Sequence, residues 1–116
     1  MRHFNLNDIQ GFSKLFRLNL INSITGYKSA NMIGTRSNSG KENVAIFSSI
    51  THLGSKPALL HFTLRPNTVP RDTYKNIKEN NVFTVNHVSL AQVEEAHHTS
   101  AKYDENVSEF DQTKLK

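Results

Sequence analysis

The stretch NVAIFSSITHLGSKPALLHFTLRP, residues 43–66, contains the clearest strand signals in this chain. Residues 43–50 are rich in β-branched and aromatic side chains, which favour extended backbone. Residues 51–57 contain a glycine and a proline and predict a loop, and residues 58–66 predict a second strand that ends at a proline. The stretch therefore predicts two neighbouring strands and indicates a fold built mainly of β-structure.

The segments on either side add helices to these strands. The predicted elements are helices at 7–21, 71–81 and 89–98, a turn at 37–43 and a strand at 82–88, with 19–35 open between helix and strand. The predicted N-caps are Asn7 or Asp8 for the first helix and Ser89 for the third. Because strands and helices do not alternate regularly, we expect a mainly β fold with helical inserts, a small β-barrel or an α+β domain. The length favours a single domain over residues 1–116.

The predicted strands are too few to close a barrel. Three or four strands leave sheet edges unpaired, and the last residues, SEFDQTKLK, show no closing strand. We therefore expect an incomplete barrel, either because the chain is short or because a partner completes the sheet.

Net charge, apolar content and the lack of cysteine limit the classes of function that the chain can have. The net charge of +4 permits anionic partners, but the basic residues are scattered and the carboxyl third is acidic, which disfavours nucleic-acid binding. No apolar run reaches the ~18 residues of a membrane span, and the first residues have no apolar signal-peptide segment. With no cysteine there is no disulfide framework. We expect a cytoplasmic protein without membrane or nucleic-acid partners.

Several familiar kinds of catalytic or binding site lack their sequence motifs. Glu94 lies one helical turn from His97 and His98, but a carboxylate-bridged metal site needs a second such helix, so no metal is predicted. There is no G-x-S-x-G nucleophile motif and no glycine-rich phosphate loop. A phosphate would therefore need side chains and a helix terminus to bind it.

One helix start has the residues for that role. Arg71, Asp72 and Thr73 lie where the helix at 71–81 begins, so they form either a plain helix cap or an anion site at the unpaired first amides. The residue chemistry alone leaves both open. A second polar cluster follows the strand at 43–50 and consists of Ser48, Ser49, Thr51 and His52.

Four stretches, taken in order, resemble a known family. They are GYKSANMIGT (26–35), NVAIFSSITHLGSKPALLHFTLRP (43–66), VPRDTYKNIKENNVFTVN (69–86) and AHHTSAKYDENVSEFD (96–111). The second is similar to an Asn-x-Ala-x-x-Ser strand followed by a Ser-x-Pro-x-Leu strand, and the third to an Asp-Thr-x-x-Asn-Ile helix followed by a Phe-x-Val-Asn strand. The ordered set resembles the flavin reductase-like family, the FMN-binding split barrels.

The resemblance implies a split β-barrel, usually a homodimer, with FMN near the subunit interface. It implies that NADH or NADPH passes hydride to the flavin, which carries the chemistry and reduces a small-molecule acceptor. It does not identify a catalytic residue in the protein. The cofactor-binding residues that it implies are Lys28, Ser29, Asn31, Asn43, Ala45, Ile46, Phe47, Ser48, Ser49, Thr51, Arg71, Thr73, His98, Thr99 and Ser100.

Within that set the resemblance assigns parts of the cofactor. The strand from Asn43 to Ser48 would run along the isoalloxazine ring. The candidates for the ribityl-phosphate end are Ser49, Thr51, Arg71 and Thr73, with Arg71 and Thr73 at the phosphate itself. Family members continue beyond the point where this chain ends, so strands that complete the barrel are expected to be missing. Two alternatives stay open: a flavin-binding module without enzymatic activity, and a small basic nucleic-acid-binding barrel.

Overall fold

The computed structural model describes residues 1–65, 70–101, 103 and 107–115. In chain order the elements are α1 (Leu6–Gly11), α2 (Lys14–Ser23), β1 (Asn31–Arg36), β2 (Glu42–Phe47), β3 (Thr51–Ser55), β4 (Ala58–His61), α3 (Asp72–Asn80), β5 (Thr84–His87), a 3₁₀ turn (Leu90–Gln92), α4 (Val93–His98) and α5 (Glu109–Gln112). None of the helices among these residues is long and apolar enough to cross a membrane.

The strands form two separate sheets. The larger has the order β2–β1–β5, with both neighbours antiparallel to β1, and the smaller is the β3–β4 hairpin. Neither sheet closes on itself within the described residues, so the expected incomplete barrel with helical inserts is confirmed.

The larger sheet has two differently covered faces. Ile33 is opposite both Ala45 and Val85 on one face, and its side chain is fully buried. On the other face Met32 and Val44 join Ala96 of α4 in an apolar cluster. Because strand side chains alternate between faces, β1 supplies both layers of the core.

The predicted first helix is in fact two helices. Asn5 caps α1 through a reciprocal pair of hydrogen bonds with Asp8, at 2.8 and 3.0 Å. Ser13 caps α2 by accepting from the Phe16 amide at 3.3 Å. Ser13 takes an extended conformation and caps a new helix, so the helix is interrupted between Gly11 and Lys14. The apolar spacing continues across this interruption, and spacing alone therefore does not reveal it.

The loop predicted at 51–57 is wrong. Residues 51–55 form β3 and pair with β4, with a register irregularity between His52 and Gly54. The predicted second strand is also shorter, since β4 ends at His61. All of its residues are exposed, so the pattern carries no burial signal by which sequence could set its limits.

The other predictions agree more closely with the structure. The helix at 71–81 and the strand at 82–88 correspond to α3 and β5, and the end of the ambiguous segment 19–35 forms most of β1 (Asn31–Arg36). The helix at 89–98 divides into a 3₁₀ turn and α4, and Ser89 begins it with a bond between its backbone N–H and Gln92 Oε1 at 3.2 Å.

Gly34 of β1 has no room for a side chain beside β5. A Cβ at this position would be 2.7 Å from Thr84 Oγ1 on β5, and that hydroxyl accepts from Asn86 Nδ2 at 3.0 Å. We expect Gly34→Ala to lower the free energy of unfolding by about 1–3 kcal/mol, since the added methyl group overpacks the strand pair. Urea denaturation measures it. Gly11→Ala is the matched control, because among the described residues an added Cβ would meet nothing within 4 Å beyond its chain neighbours and its own helix. An equal loss in both variants would contradict the packing argument.

Candidate functional site

The first turn of α3 is open to an anion. Arg71 occupies the N-cap position with extended backbone, and its side chain makes no capping hydrogen bond. The Arg71 Nε atom is buried and has no hydrogen-bond partner among the described residues. First-turn amides that Arg71 does not cap, together with a guanidinium nitrogen without a partner in the described segments, favour a negatively charged group at this position.

A buried polar network fixes α3 on the sheet. Thr73 Oγ1 and the Asn43 amide are 3.0 Å apart, and Asn76 Nδ2 donates to Thr35 Oγ1 at 3.1 Å. All four side chains are less than a tenth exposed. Because unpaired buried polar groups are costly, these bonds fix both the position and the rotation of the helix. They thereby hold Arg71 in its place.

The carboxyl-terminal segment supports the same network. Asn43 satisfies its amide best when Oδ1 accepts from Thr73 and Nδ2 donates to Glu109 Oε2 at 3.3 Å. The neighbouring Ser108 Oγ donates to the Glu42 carbonyl at 2.7 Å. These side chains satisfy backbone and side-chain groups along the edge of β2 that points away from β1.

The carboxyl group of Glu109 is partly buried in this contact. Burial raises its pKa above the ordinary value, and the carboxylate of Asp72 acts in the same direction. Backbone N–H groups of Glu109 and Val44 and the charge of Lys41 oppose the rise in pKa without cancelling it. Ionised Glu109 is therefore less favourable in the folded chain than in the unfolded chain.

This raised pKa predicts a pH dependence of stability. The favourable contribution of protonated Glu109 is fully present below pH 4.5 and is lost as pH rises through the higher pKa of the folded state. We expect Glu109→Gln, which keeps an acceptor for Val44, to gain stability relative to the wild type as pH rises from 4 towards 7. Urea denaturation across this range measures the difference. Glu79→Gln, at an exposed position on α3, is the control, and a flat difference for Glu109→Gln would contradict the assignment.

The opposite end of β1 carries a second polar group. Asn31, buried at the start of β1, donates from Nδ2 to Ser29 Oγ at 3.0 Å. Its Oδ1 lies 3.4 Å from Nδ1 of His87 at the end of β5. Lys28 is exposed just before these residues. The structure thus joins Ser29 and Asn31, which were predicted, to His87, which was not.

The predicted ring-binding residues of β2 face different surroundings. Ala45 shares a face with Ile33, whereas Ile46 packs on the Met32 and Val44 cluster. Phe47 stacks edge-on against Phe62, with ring centroids 5.5 Å apart. The backbone groups of Glu42 and Val44 point away from β1, towards Ser108 and Glu109. Because the direction of these groups alternates along a strand, the backbone N–H and C=O of Ile46 also point away from β1. Its amide and carbonyl lie on the outer edge of β2, past the part that Ser108 and Glu109 cover.

Several predicted hydroxyls are already hydrogen-bonded. Ser49 Oγ joins the loop to the hairpin through the Thr63 amide at 3.0 Å and carbonyl at 3.2 Å. Thr99 Oγ1 donates to the Ala96 carbonyl at 2.8 Å, and Ser100 Oγ donates to the His97 carbonyl at 2.6 Å. The predicted residues Ser48, Thr51 and His98 are exposed.

Sequence reasoning missed the residues that support the site from a distance. These contacts join residues that are far apart in the sequence. Asn76 contacts Thr35 across 41 positions, and His87 contacts Asn31 across 56. Both Ser108 and Glu109 contact residues of β2 that lie 66 positions earlier. No local pattern marks such pairs.

A cavity of about 460 Å³ lies at the Gly34 end of the sheet, and none of the predicted residues lines it. Within the described part of the chain, no three His, Cys, Asp or Glu side chains form a metal-binding group.

Comparisons with known proteins identify the family. The model of the flavin reductase like domain matches residues 26–116, most of the chain. A comparison with curated protein sequences found no significant match.

Solved structures show the same fold. A Shewanella frigidimarina NCIMB 400 protein with a split barrel domain, assigned as a flavin reductase, is 42% identical with a TM-score of 0.94, covering 100% of this chain and 57% of that protein. Nitrilotriacetate monooxygenase component B from Bacillus cereus is 22% identical with a TM-score of 0.81, covering 99% of this chain and 56% of that one. Flavoredoxin of Desulfovibrio vulgaris (Miyazaki F) is 25% identical with a TM-score of 0.65, covering 73% and 45%.

This chain therefore spans a little over half the length of its first two structural relatives. The ordered sequence match, the unclosed sheets and the fold of the relatives agree with one another. The chain belongs to the flavin reductase-like family and has the split-barrel fold of that family.

Proposed function

We propose that this chain binds FMN as part of an oxidoreductase that takes hydride from NADH or NADPH. The observation that carries the proposal is the buried Arg71 Nε, which has no hydrogen-bond partner in the part of the chain that the structure describes and lies at the start of α3. A phosphate dianion would supply the acceptor that this nitrogen lacks, and the first amides of the helix would add donors. The family match over residues 26–116 supports flavin as the ligand that carries that phosphate.

The structure refines the role of two predicted residues. Thr73 Oγ1 is buried and donates its hydroxyl proton to Asn43 Oδ1, so this hydroxyl has no donor left for a phosphate. Asn43 is buried as well, and its amide is bonded to Thr73 and Glu109. We therefore assign Asn43 and Thr73 to positioning α3 and leave the phosphate to Arg71 and the helix amides. In this assignment the positive charge of Arg71 lies at the start of α3, and the hydrogen bonds between uncharged side chains lie beneath the helix.

The flavin ring would lie near the outer edge of β2. There the backbone of Ile46 offers a donor and an acceptor for the polar rim of the ring, and the exposed Ser48 and Thr51 follow it. Lys28 and the Ser29–Asn31 pair border the same end of the sheet. We propose that His98, the last residue of α4, and the following Thr99 and Ser100 also belong to the site.

The cofactor would supply the redox chemistry by accepting hydride from the nicotinamide. The chain's own residues would bind and orient it, and no side chain is assigned a catalytic role. We further propose a cytoplasmic homodimer and a small-molecule electron acceptor, as the resemblance implies.

A flavin-binding experiment tests the proposal. The purified chain is mixed with FMN, passed through gel filtration and assayed by visible absorption and by oxidation of NADH and NADPH. We expect retained flavin and nicotinamide oxidation faster than free FMN gives. Retained flavin without faster oxidation would instead indicate a binding module. No retained flavin, together with nucleic-acid affinity that falls steeply with salt, would reject the proposal in favour of a basic nucleic-acid-binding barrel.

A further inference from the structure

The side chain of Asn43 connects the carboxyl-terminal helix α5 to the first turn of α3. One end of its amide lies 3.3 Å from Glu109 Oε2, and the other end lies 3.0 Å from Thr73 Oγ1. Asn43 and Thr73 are each 5% exposed, so these bonds are shielded from solvent. Because Thr73 follows Arg71 and Asp72 at the start of α3, the connection leads from Glu109 to the proposed phosphate site.

The Asn43 amide has two hydrogen-bonding arrangements that use the same atomic positions. In the first arrangement, Nδ2 donates to Glu109 Oε2 and Oδ1 accepts from the Thr73 hydroxyl. In the second arrangement, Oδ1 faces Glu109, and Nδ2 donates to Thr73 Oγ1 at 3.0 Å and to Thr35 Oγ1 at 3.3 Å. A carboxylate can only accept, whereas a protonated carboxyl group has an O–H donor for Oδ1. Ionised Glu109 therefore requires the first arrangement, and protonated Glu109 permits the second.

The two arrangements turn opposite ends of the amide dipole towards α3. In the first arrangement the negative oxygen of Asn43 faces Thr73, and in the second the positive N–H groups do. A phosphate at the start of α3 is stabilised by positive partial charge beside it. The second arrangement is therefore the one that a bound phosphate favours.

The charge of Glu109 acts on the same helix start. Burial raises the pKa of this carboxyl group, and the carboxylate of Asp72, the first residue of α3, raises it further. Backbone N–H groups of Glu109 and Val44 and the charge of Lys41 oppose the rise in pKa. Since Asp72 acts on Glu109 from the first turn of α3, the negative charge of a phosphate at that turn would act in the same direction.

Other carboxylates on the elements near α5 have partners of their own. Glu42 of β2 forms an ion pair with Arg36. Glu95 of α4 accepts from the backbone N–H of Lys114 at 3.1 Å. Among these carboxyl groups, Glu109 is the one that contacts the Asn43 amide.

We propose that Glu109 is a positioning residue for the phosphate site, because it takes up a proton from solvent when phosphate binds at the start of α3 and thereby allows the Asn43 amide to reverse. The only bond formed is the O–H bond of the Glu109 carboxyl group. This inference rests on the phosphate site of the proposed function and adds a residue that controls it. Because such coupling is reciprocal, phosphate raises the proton affinity of Glu109 by the factor by which the proton raises phosphate affinity.

FMN binding at different pH values tests the coupling. Glu109→Gln is uncharged at every pH, and its Nε2 can donate to Asn43 Oδ1 as the protonated carboxyl group would. We expect it to bind FMN about fivefold more tightly than the wild type near pH 8, because a negative charge close to the phosphate is removed. The difference should shrink as the pH falls towards 4.5, where the wild type becomes protonated too. Flavin fluorescence measures both dissociation constants.

Two controls isolate the phosphate and the position of the charge. Riboflavin lacks the phosphate, so the ratio of its two dissociation constants should not change with pH. Ionisation of the FMN phosphate itself is common to both chains and cancels in their ratio. Asp111→Asn removes the same charge at an exposed position on α5 and should bind FMN as the wild type does.

The direction of the Asn43 amide can be measured by nuclear magnetic resonance. Near pH 8 without ligand, its Nδ2 protons should show nuclear Overhauser effects to Glu109. Near pH 5 in the FMN complex, these effects should instead reach Thr35 and Thr73. This readout separates a reversal of the amide from a general loss of charge.

The outcomes distinguish this inference from the proposed function. If neither chain binds FMN at any pH, the phosphate site itself is rejected. If both chains bind FMN with a ratio that does not depend on pH, or if the riboflavin ratio changes as much as the FMN ratio, only the coupling to Glu109 is overturned. Asn43 amide protons that stay close to Glu109 in the FMN complex near pH 5 would also overturn it.

Discussion

Arg71→Ala is expected to weaken FMN binding about tenfold or more. The guanidinium would donate to the phosphate in charge-assisted hydrogen bonds, and such a bond contributes about 1.5–3 kcal/mol. The buried Nε has no partner of its own among the described residues, so the substitution breaks no hydrogen bond of that nitrogen within the protein. Titration of FMN fluorescence with each variant measures the affinity.

Two further variants separate the phosphate contact from net charge and from helix position. Arg2→Ala removes the same charge at an exposed position near the amino terminus and should leave FMN affinity unchanged. Arg71→Lys keeps the charge but loses the guanidinium geometry, so we expect an intermediate affinity. Equal affinity of wild type and Arg71→Ala would remove Arg71 from the proposed phosphate site.

Ile33→Ala is expected to lower the free energy of unfolding by about 2–5 kcal/mol. Ile33 is fully buried between Ala45 and Val85 of its two neighbouring strands, and a cavity there would remain partly unfilled. A loss of this size is a large part of the ~5–15 kcal/mol that holds an ordinary domain folded. Urea denaturation followed by circular dichroism measures it.

Graded substitutions test whether packing causes this loss. Ile33→Val removes one methylene group and should cost about 0.5–1.5 kcal/mol. Val85→Ala, on the same face but 38% exposed, should cost less than Ile33→Ala because the site is open to solvent. If Val85→Ala proved the more damaging of the two, Ile33 would not be the centre of this layer.

The sequence predicted best where one short segment contains its own signals. The helix at 71–81 has polar residues at its start and ends as α3 at Asn80, followed by Asn81 with a left-handed φ of 56°. The strand at 43–50 corresponds to β2, within one residue at its start. The family resemblance followed from four such segments in order and is confirmed by the domain match.

The sequence was less informative where the signal was missing or misleading. The strand β3 was predicted as a loop because its glycine and its exposed polar residues resemble loop composition. The break between α1 and α2 was missed because the apolar spacing continues through it. In both cases local composition gives the same pattern for two different structures.

In the candidate site, too, some features follow from local sequence and others only from the tertiary structure. The sequence by itself determined that a positive charge and a helix start coincide at Arg71, because those features lie within a few residues of one another. Only the tertiary structure decided that Thr73 faces Asn43 beneath the helix, and that Glu109, far along the chain, joins them. The physical reason is that charge, capping and periodicity are local properties, whereas burial and hydrogen-bond pairing depend on which distant segments the fold brings together.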